Sequence, residues 1–81
     1  MDNPKKYISL VDIDDGQSAV IIAVNGGRML SKRLADLGLT TGTEIKVLRR
    51  TLFSGPVQIE ASGSRLVLGR GLAAKILVTL K

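Results

Sequence analysis

The chain has no cysteine, no histidine and no tryptophan, and only one phenylalanine, one tyrosine and two prolines in 81 residues. Without thiols there is neither a disulfide framework nor a thiolate metal site, a pattern at home in a reducing compartment. Without imidazole the usual ferrous-ion ligand and the usual pH switch are both missing. One Phe and one Tyr leave no aromatic platform of the kind small barrels use to stack single-stranded bases. The longest uninterrupted apolar run, Ala19 to Val24, falls far short of the roughly 20 residues that span a bilayer. The N-terminus, Met1 to Tyr7, is polar and lacks the apolar centre of a secretory signal, so the expected location is the cytoplasm.

What is there is aliphatic and basic. The hydrophobic fraction is 44%, so the core is expected to consist of Leu, Ile, Val and Ala. A chain this short buries only about 60% of its unfolded surface and has room for one core. Twelve Lys and Arg against seven Asp and Glu give a net charge of +5, which favours encounter with anionic partners without choosing among them.

Two glycines separate a helical pattern from a strand pattern near the middle. Leu30, Leu34 and Leu37 recur at the spacing of one helix face, which predicts a helix from about Arg28 to Leu37 with all three in the core. Gly38 stands where a helix end commonly needs φ > 0, and Gly42 repeats the device in the turn before the next strand. Ile45 and Val47 alternate with polar residues in a strand over about 43–51. The β-branched run Ser18–Val24 reads as a strand before the helix, Val57–Ala61 alternates strictly, Arg65–Leu68 returns, and Ile76–Leu80 closes the chain. Ser9 and Asp12 suit the cap of a short helical turn anchored by Ile13, and Gly69 and Gly71 mark a break. Residues 1–7 read as a flexible tail and 8–81 as one domain: five short strands, one helix after the first of them, and a bent sheet that closes on itself.

The order of these fragments resembles the FeoA family, small cytoplasmic proteins associated with bacterial ferrous iron uptake. The likeness rests on Arg33-Leu34 followed by Leu37-Gly38-Leu39, on Gly42-Thr43-Glu44-Ile45 opening a strand that ends in Arg49-Arg50, and on Gly55-Pro56-Val57 with Ile59-Glu60 after it. Leu66-Val67-Leu68, Ala74 and Ile76-Leu77-Val78 complete it. The resemblance implies a mainly β, SH3-like barrel and a partner, the membrane GTPase transporter FeoB. It also implies peripheral placement at the inner face of the membrane through that partner. The chain departs from the family in having Leu52-Phe53-Ser54 where Pro-Leu-Gly is frequent, glycines at 69 and 71 in place of charged residues, and Thr41 where proline is common.

Catalysis needs a nucleophile with a base, paired carboxylates or a metal, and the sequence is poor in all three. Asp12, Asp14 and Asp15 lack the rest of a calcium loop and read as turns and caps. Asn25-Gly26-Gly27 before the helix carries neither a Walker motif nor a dinucleotide fingerprint, and reads as a connection. No enzyme, cofactor, bound metal or small-molecule substrate is expected, and if the protein serves iron transport it acts on a transporter. Leu52 and Phe53, large apolar side chains beside a Ser-Gly-Pro turn, either fold back over a barrel end or project as a contact patch; in the second case the candidate contact residues are Leu52, Phe53, Ser54, Gly55 and Pro56, together with the basic residues Arg28, Lys32, Arg49 and Arg50. The alternative is a small basic nucleic-acid-binding barrel using the same arginines and Lys46. Strand edges left by incomplete closure could pair two copies.

Overall fold

The computed structural model describes residues 7–50 and 55–81. Its strands are β1 (Ile8–Ser9), β2 (Ser18–Val24), β3 (Glu44–Arg50), β4 (Val57–Ala61), β5 (Ser64–Leu68) and β6 (Ile76–Leu80). A 3₁₀ turn over Leu10–Asp12 follows β1, helix α1 (Gly27–Asp36) follows β2, and a single helical turn α2 (Arg70–Ala73) precedes β6. All strand pairs are antiparallel, in the order β1-β6-β2-β3-β4-β5.

Three strands have the bounds their residues dictate. In β4 the buried Val57, Ile59 and Ala61 alternate with exposed Gln58 and Glu60, and in β6 Ile76 and Val78 face the core. The β-branched run of β2 also keeps its predicted limits. Two shifts of register, between Ile21 and Ala23 in β2 and between Val47 and Arg49 in β3, bend the sheet as bulges do. Among the described residues no ladder joins β5 back to β1, so the sheet curves around its core without hydrogen-bonded closure. A two-residue β1 is too short to seal both neighbours.

Leu10, Ile13, Ile21, Leu34, Leu39, Ile45, Val47, Ile59, Ile76 and Val78 form the centre of one aliphatic core. The Ser9 hydroxyl accepts the Val11 N–H (3.4 Å) and donates to the Ala74 carbonyl (3.0 Å), which caps the 3₁₀ turn and ties it to the end of α2. Asp14 and Gln17 close their own turn, with the Gln17 N–H on the Asp14 carbonyl at 3.2 Å and the Asp14 N–H on Gln17 Oε1 at 3.0 Å.

Two elements go beyond the sequence pattern and one residue departs from it. β1 adds a sixth strand, so α1 follows the second strand in the chain. The Gly69–Gly71 break contains the turn α2, secured by the buried Ala73 and half-buried Leu72. Leu37, expected in the core, is 47% exposed, because the helix ends one residue before it and Leu39 takes the inward place.

Candidate functional site

Helix α1 ends in a Schellman motif. The Leu39 N–H reaches back to the Leu34 carbonyl at 2.8 Å, the Gly38 N–H bonds the Ala35 carbonyl at 2.9 Å, and Gly38 has φ +87°. The two leucines that bracket the motif, Leu34 and Leu39, are both buried in the core. The next four residues make a β-turn, with the Thr43 N–H on the Thr40 carbonyl at 3.0 Å and Gly42 at φ +94° in the third position, the type II pattern. The Gly42 N–H bonds the Ile21 carbonyl at 2.7 Å and the Thr43 carbonyl accepts the Ile21 N–H at 2.9 Å, fastening the turn to β2. The Thr40 N–H bonds Thr43 Oγ1 at 3.2 Å.

Thr41 occupies the second position of that turn, where φ near −60° is required and no turn hydrogen bond is donated. Replacing it with proline should therefore raise stability by about 0.4–1 kcal/mol through the unfolded chain. A chemical denaturation series on Thr41→Pro measures this, and a loss of stability would mean the turn is not of this type.

The helix, this turn and the end of β2 enclose a groove of about 500 Å³ lined by Val24, Arg28, Ser31, Lys32, Ala35, Leu39, Thr40 and Thr41. Buried Leu39 and half-buried Val24 lie at its base, and the remaining residues are exposed along its sides. Arg28 and Lys32, one helical turn apart as the sequence implied, share this groove. Neither has an acidic side chain within ion-pair distance among the described residues. Gly26 caps the start of α1 without a side-chain bond, and the Asn25 N–H is used by the Lys75 carbonyl at 2.7 Å, so 25–27 connects β2 to the helix.

The other sequence-predicted contact residues lie elsewhere. β2 pairs with β3 through Ser18 opposite Lys46 and Val20 opposite Glu44, so Val24 and α1 extend from one end of this ladder and Arg49 and Arg50 from the other. Arg49 is exposed and faces Gln58, while Arg50 pairs with Val57 at the mouth of the β3–β4 connection, just after Gly55 and Pro56. Leu52, Phe53 and Ser54 lie outside the described residues. Lys46 sits opposite Glu60 in a second groove of about 470 Å³ that also holds Glu44, itself paired with Lys81 at 2.7 Å. The apolar base of the α1 groove was not legible in the sequence, since Val24 and Leu39 are fifteen positions apart and no local period joins them.

Among the described residues no three His, Cys, Asp or Glu side chains come together to hold a metal ion, and no helix is long and apolar enough to cross a membrane.

The FeoA domain family matches residues 8–80. A chain of Methanocaldococcus jannaschii assigned as an Fe(2+) transport protein A is 36% identical over 64 residues, which cover 79% of this chain and 76% of that one. The crystal structure of an iron uptake regulatory protein, FeoA, superposes with a TM-score of 0.86 at 29% identity, over 94% of this chain and 100% of the other. The solution structure of FeoA from Chlorobium tepidum does so with 0.80 at 30% identity, over 90% and 70%. A manganese-dependent transcriptional repressor gives 0.86 at 19% identity over 98% of this chain and 44% of the repressor, a likeness of fold alone. The SH3-like β fold expected from the sequence is the one shared with these FeoA structures. Matched by the family over nearly its whole length, the chain belongs to the FeoA family of ferrous iron transport accessory proteins.

Proposed function

We propose that the protein docks on the cytoplasmic part of a FeoB-type GTPase transporter and biases that transporter between its states, without chemistry of its own. The observation that carries this reading is the α1 groove: two cations without acidic partners, set over apolar side chains, on a helix that also exposes Met29 at 84%. Exposed cations beside apolar surface favour a protein contact over a plain solvated face. Leu52, Phe53, Ser54, Gly55 and Pro56, with Arg49 and Arg50, are proposed as a second contact. Placement in the cytoplasm, at the inner face of the membrane through the partner, follows from the same proposal.

The nucleic-acid reading has less support. Lys46 faces Glu60, and the groove that holds Arg28 and Lys32 contains no ring on which a base could stack.

A binder changes a transporter's state populations only if it prefers one of them. Titration of the intact transporter in lipid, loaded with GDP or with a non-hydrolysable GTP analogue, should give saturable binding whose affinity differs between the two by about fivefold or more. Absence of saturable binding to both the isolated cytoplasmic domain and the intact transporter would overturn the docking role.

A further inference from the structure

The two surface grooves are close in size and opposite in character. In the one between β2, β3 and β4, the cation Lys46 lies among Glu44 and Glu60, and Glu44 is already bound to Lys81, so its charge is compensated from within. The α1 groove is lined by the cations Arg28 and Lys32 and by no acidic residue, neither cation is ion-paired among the described residues, and the apolar surface beside them is chiefly Val24 and Ala35.

An occupant that satisfies all of this must bring carboxylates to the two cations and an aliphatic side chain to the base. We infer that the α1 groove takes an acidic, leucine-containing linear segment of a protein, seated with an aliphatic side chain against Val24 and Ala35 and its flanking carboxylates on Arg28 and Lys32. This rests on the docking role proposed above and gives its partner a recognisable chemistry. Residues four apart on a helix are neighbours on its surface, with Cβ atoms roughly 5–6 Å apart, so the two cations reach carboxylates on either side of one seated residue. Ser31, Thr40 and Thr41 add hydroxyls along the sides for the segment's own backbone groups.

The groove walls are held before any ligand arrives. One wall is helix; the other is the turn bonded to β2 through the Gly42 N–H and the Thr43 carbonyl, and closed internally by the Thr43 N–H on the Thr40 carbonyl. A prearranged groove spares the ordering that a loop would undergo on binding, leaving more of the contact energy as affinity. The lack of a ring beside the cations argues against a nucleotide base as the seated group.

The test is a titration of the whole isotopically labelled chain with the capped peptide Glu-Asp-Leu-Leu-Asp-Glu, followed by amide chemical shifts. Saturable shifts are expected at Val24, Ala35, Leu39 and Thr40, with Ser62 and Gly63 of the compensated groove unmoved. The double change Arg28→Glu with Lys32→Glu, both exposed and outside the core, should leave the fold intact and weaken binding at least tenfold; replacing both peptide leucines by serine should do the same. Shifts outside the α1 groove, an affinity indifferent to the leucines, or equal shifts with a single-stranded oligonucleotide would each overturn the assignment. If the peptide fails while wild-type protein still binds the transporter, the groove assignment falls and the docking role stands. If the peptide binds as described and the transporter does not, the docking role falls and the groove chemistry stands.

Discussion

Replacing Ile59 with Glu should leave the chain unfolded at room temperature, whereas the same residue introduced one position earlier, as Gln58→Glu, should leave it native. Ile59 is fully buried at the middle of β4, opposite Val47 of β3 on one side and Leu66 of β5 on the other. Among the described residues every buried one is hydrophobic, so none of them offers a side-chain cation or hydrogen-bond donor to a carboxylate there. An uncompensated buried charge costs about 3–5 kcal/mol, and loss of the isoleucine packing costs about 2–5 kcal/mol more. At roughly 0.05–0.15 kcal/mol per residue a chain of this length holds about 4–12 kcal/mol in all. The two losses together, about 5–10 kcal/mol, are as large as the whole stability of a typical domain of this size. Gln58 points to the other face of the strand, exposed, with Arg49 across the ladder. A surface change away from special features stays within about 0.5 kcal/mol. Circular dichroism and amide shift dispersion on the two variants provide the comparison, and a folded Ile59→Glu would mean the inward face of β4 is misassigned.

That contrast depends only on a period of two, which is why β4 was legible from its residues alone. Val57, Ile59 and Ala61 alternate with Gln58 and Glu60, and Ile76, Val78 and Leu80 with Leu77 and Thr79, so the bounds of β4 and β6 follow from the pattern. The helix end was legible for a different reason: a glycine placed one residue past the helical pattern and followed by leucine has the makings of a Schellman motif. Its inward leucine, however, was assigned to position 37, where continued helical spacing would put it. The chain reverses at Gly38, and Leu39 completes the core instead. The elements that escaped are the shortest. Ile8–Ser9 is held as a strand by Leu77 and Val78 from the far end of the chain, and Arg70–Ala73 as a helical turn by the burial of Ala73. Neither carries enough residues to show a period.

The site divides along the same line. The spacing of Arg28 and Lys32 predicts a shared helix face, a local property of α1. What makes that face a groove is the approach of Leu39 and Thr40 after the Schellman reversal and the position of Val24 at the end of a bulged strand. These are tertiary facts, invisible to periodicity. The register between β2 and β3 likewise separates Arg28 and Lys32 from Arg49 and Arg50, which the sequence alone presented as one basic surface.

Because the groove exists only while α1 is seated, its anchor should dominate the stability of this half of the protein. Leu34 is the fully buried residue of the helix, with Leu30 partly buried beside it, and its carbonyl receives the Leu39 N–H of the terminal motif. Leu34→Ala removes the side chain that joins helix, motif and core, and should cost about 2–5 kcal/mol, depending on how far the site can collapse. For a domain of this size each kcal/mol lowers the melting temperature by roughly 4–8 °C. Leu34→Met, which keeps the volume, should cost less than about 1.5 kcal/mol, and Met29→Ala on the exposed side should change stability by no more than about 0.5 kcal/mol. Thermal melts of the three variants, together with hydrogen exchange of the α1 amides, separate the possibilities. A large drop confined to Leu34→Ala places the helix's anchor in the shared core. If Leu34→Ala instead melts with the wild type while its α1 amides exchange freely, the helix is not a cooperative part of the fold, and a preformed groove beside it cannot be maintained.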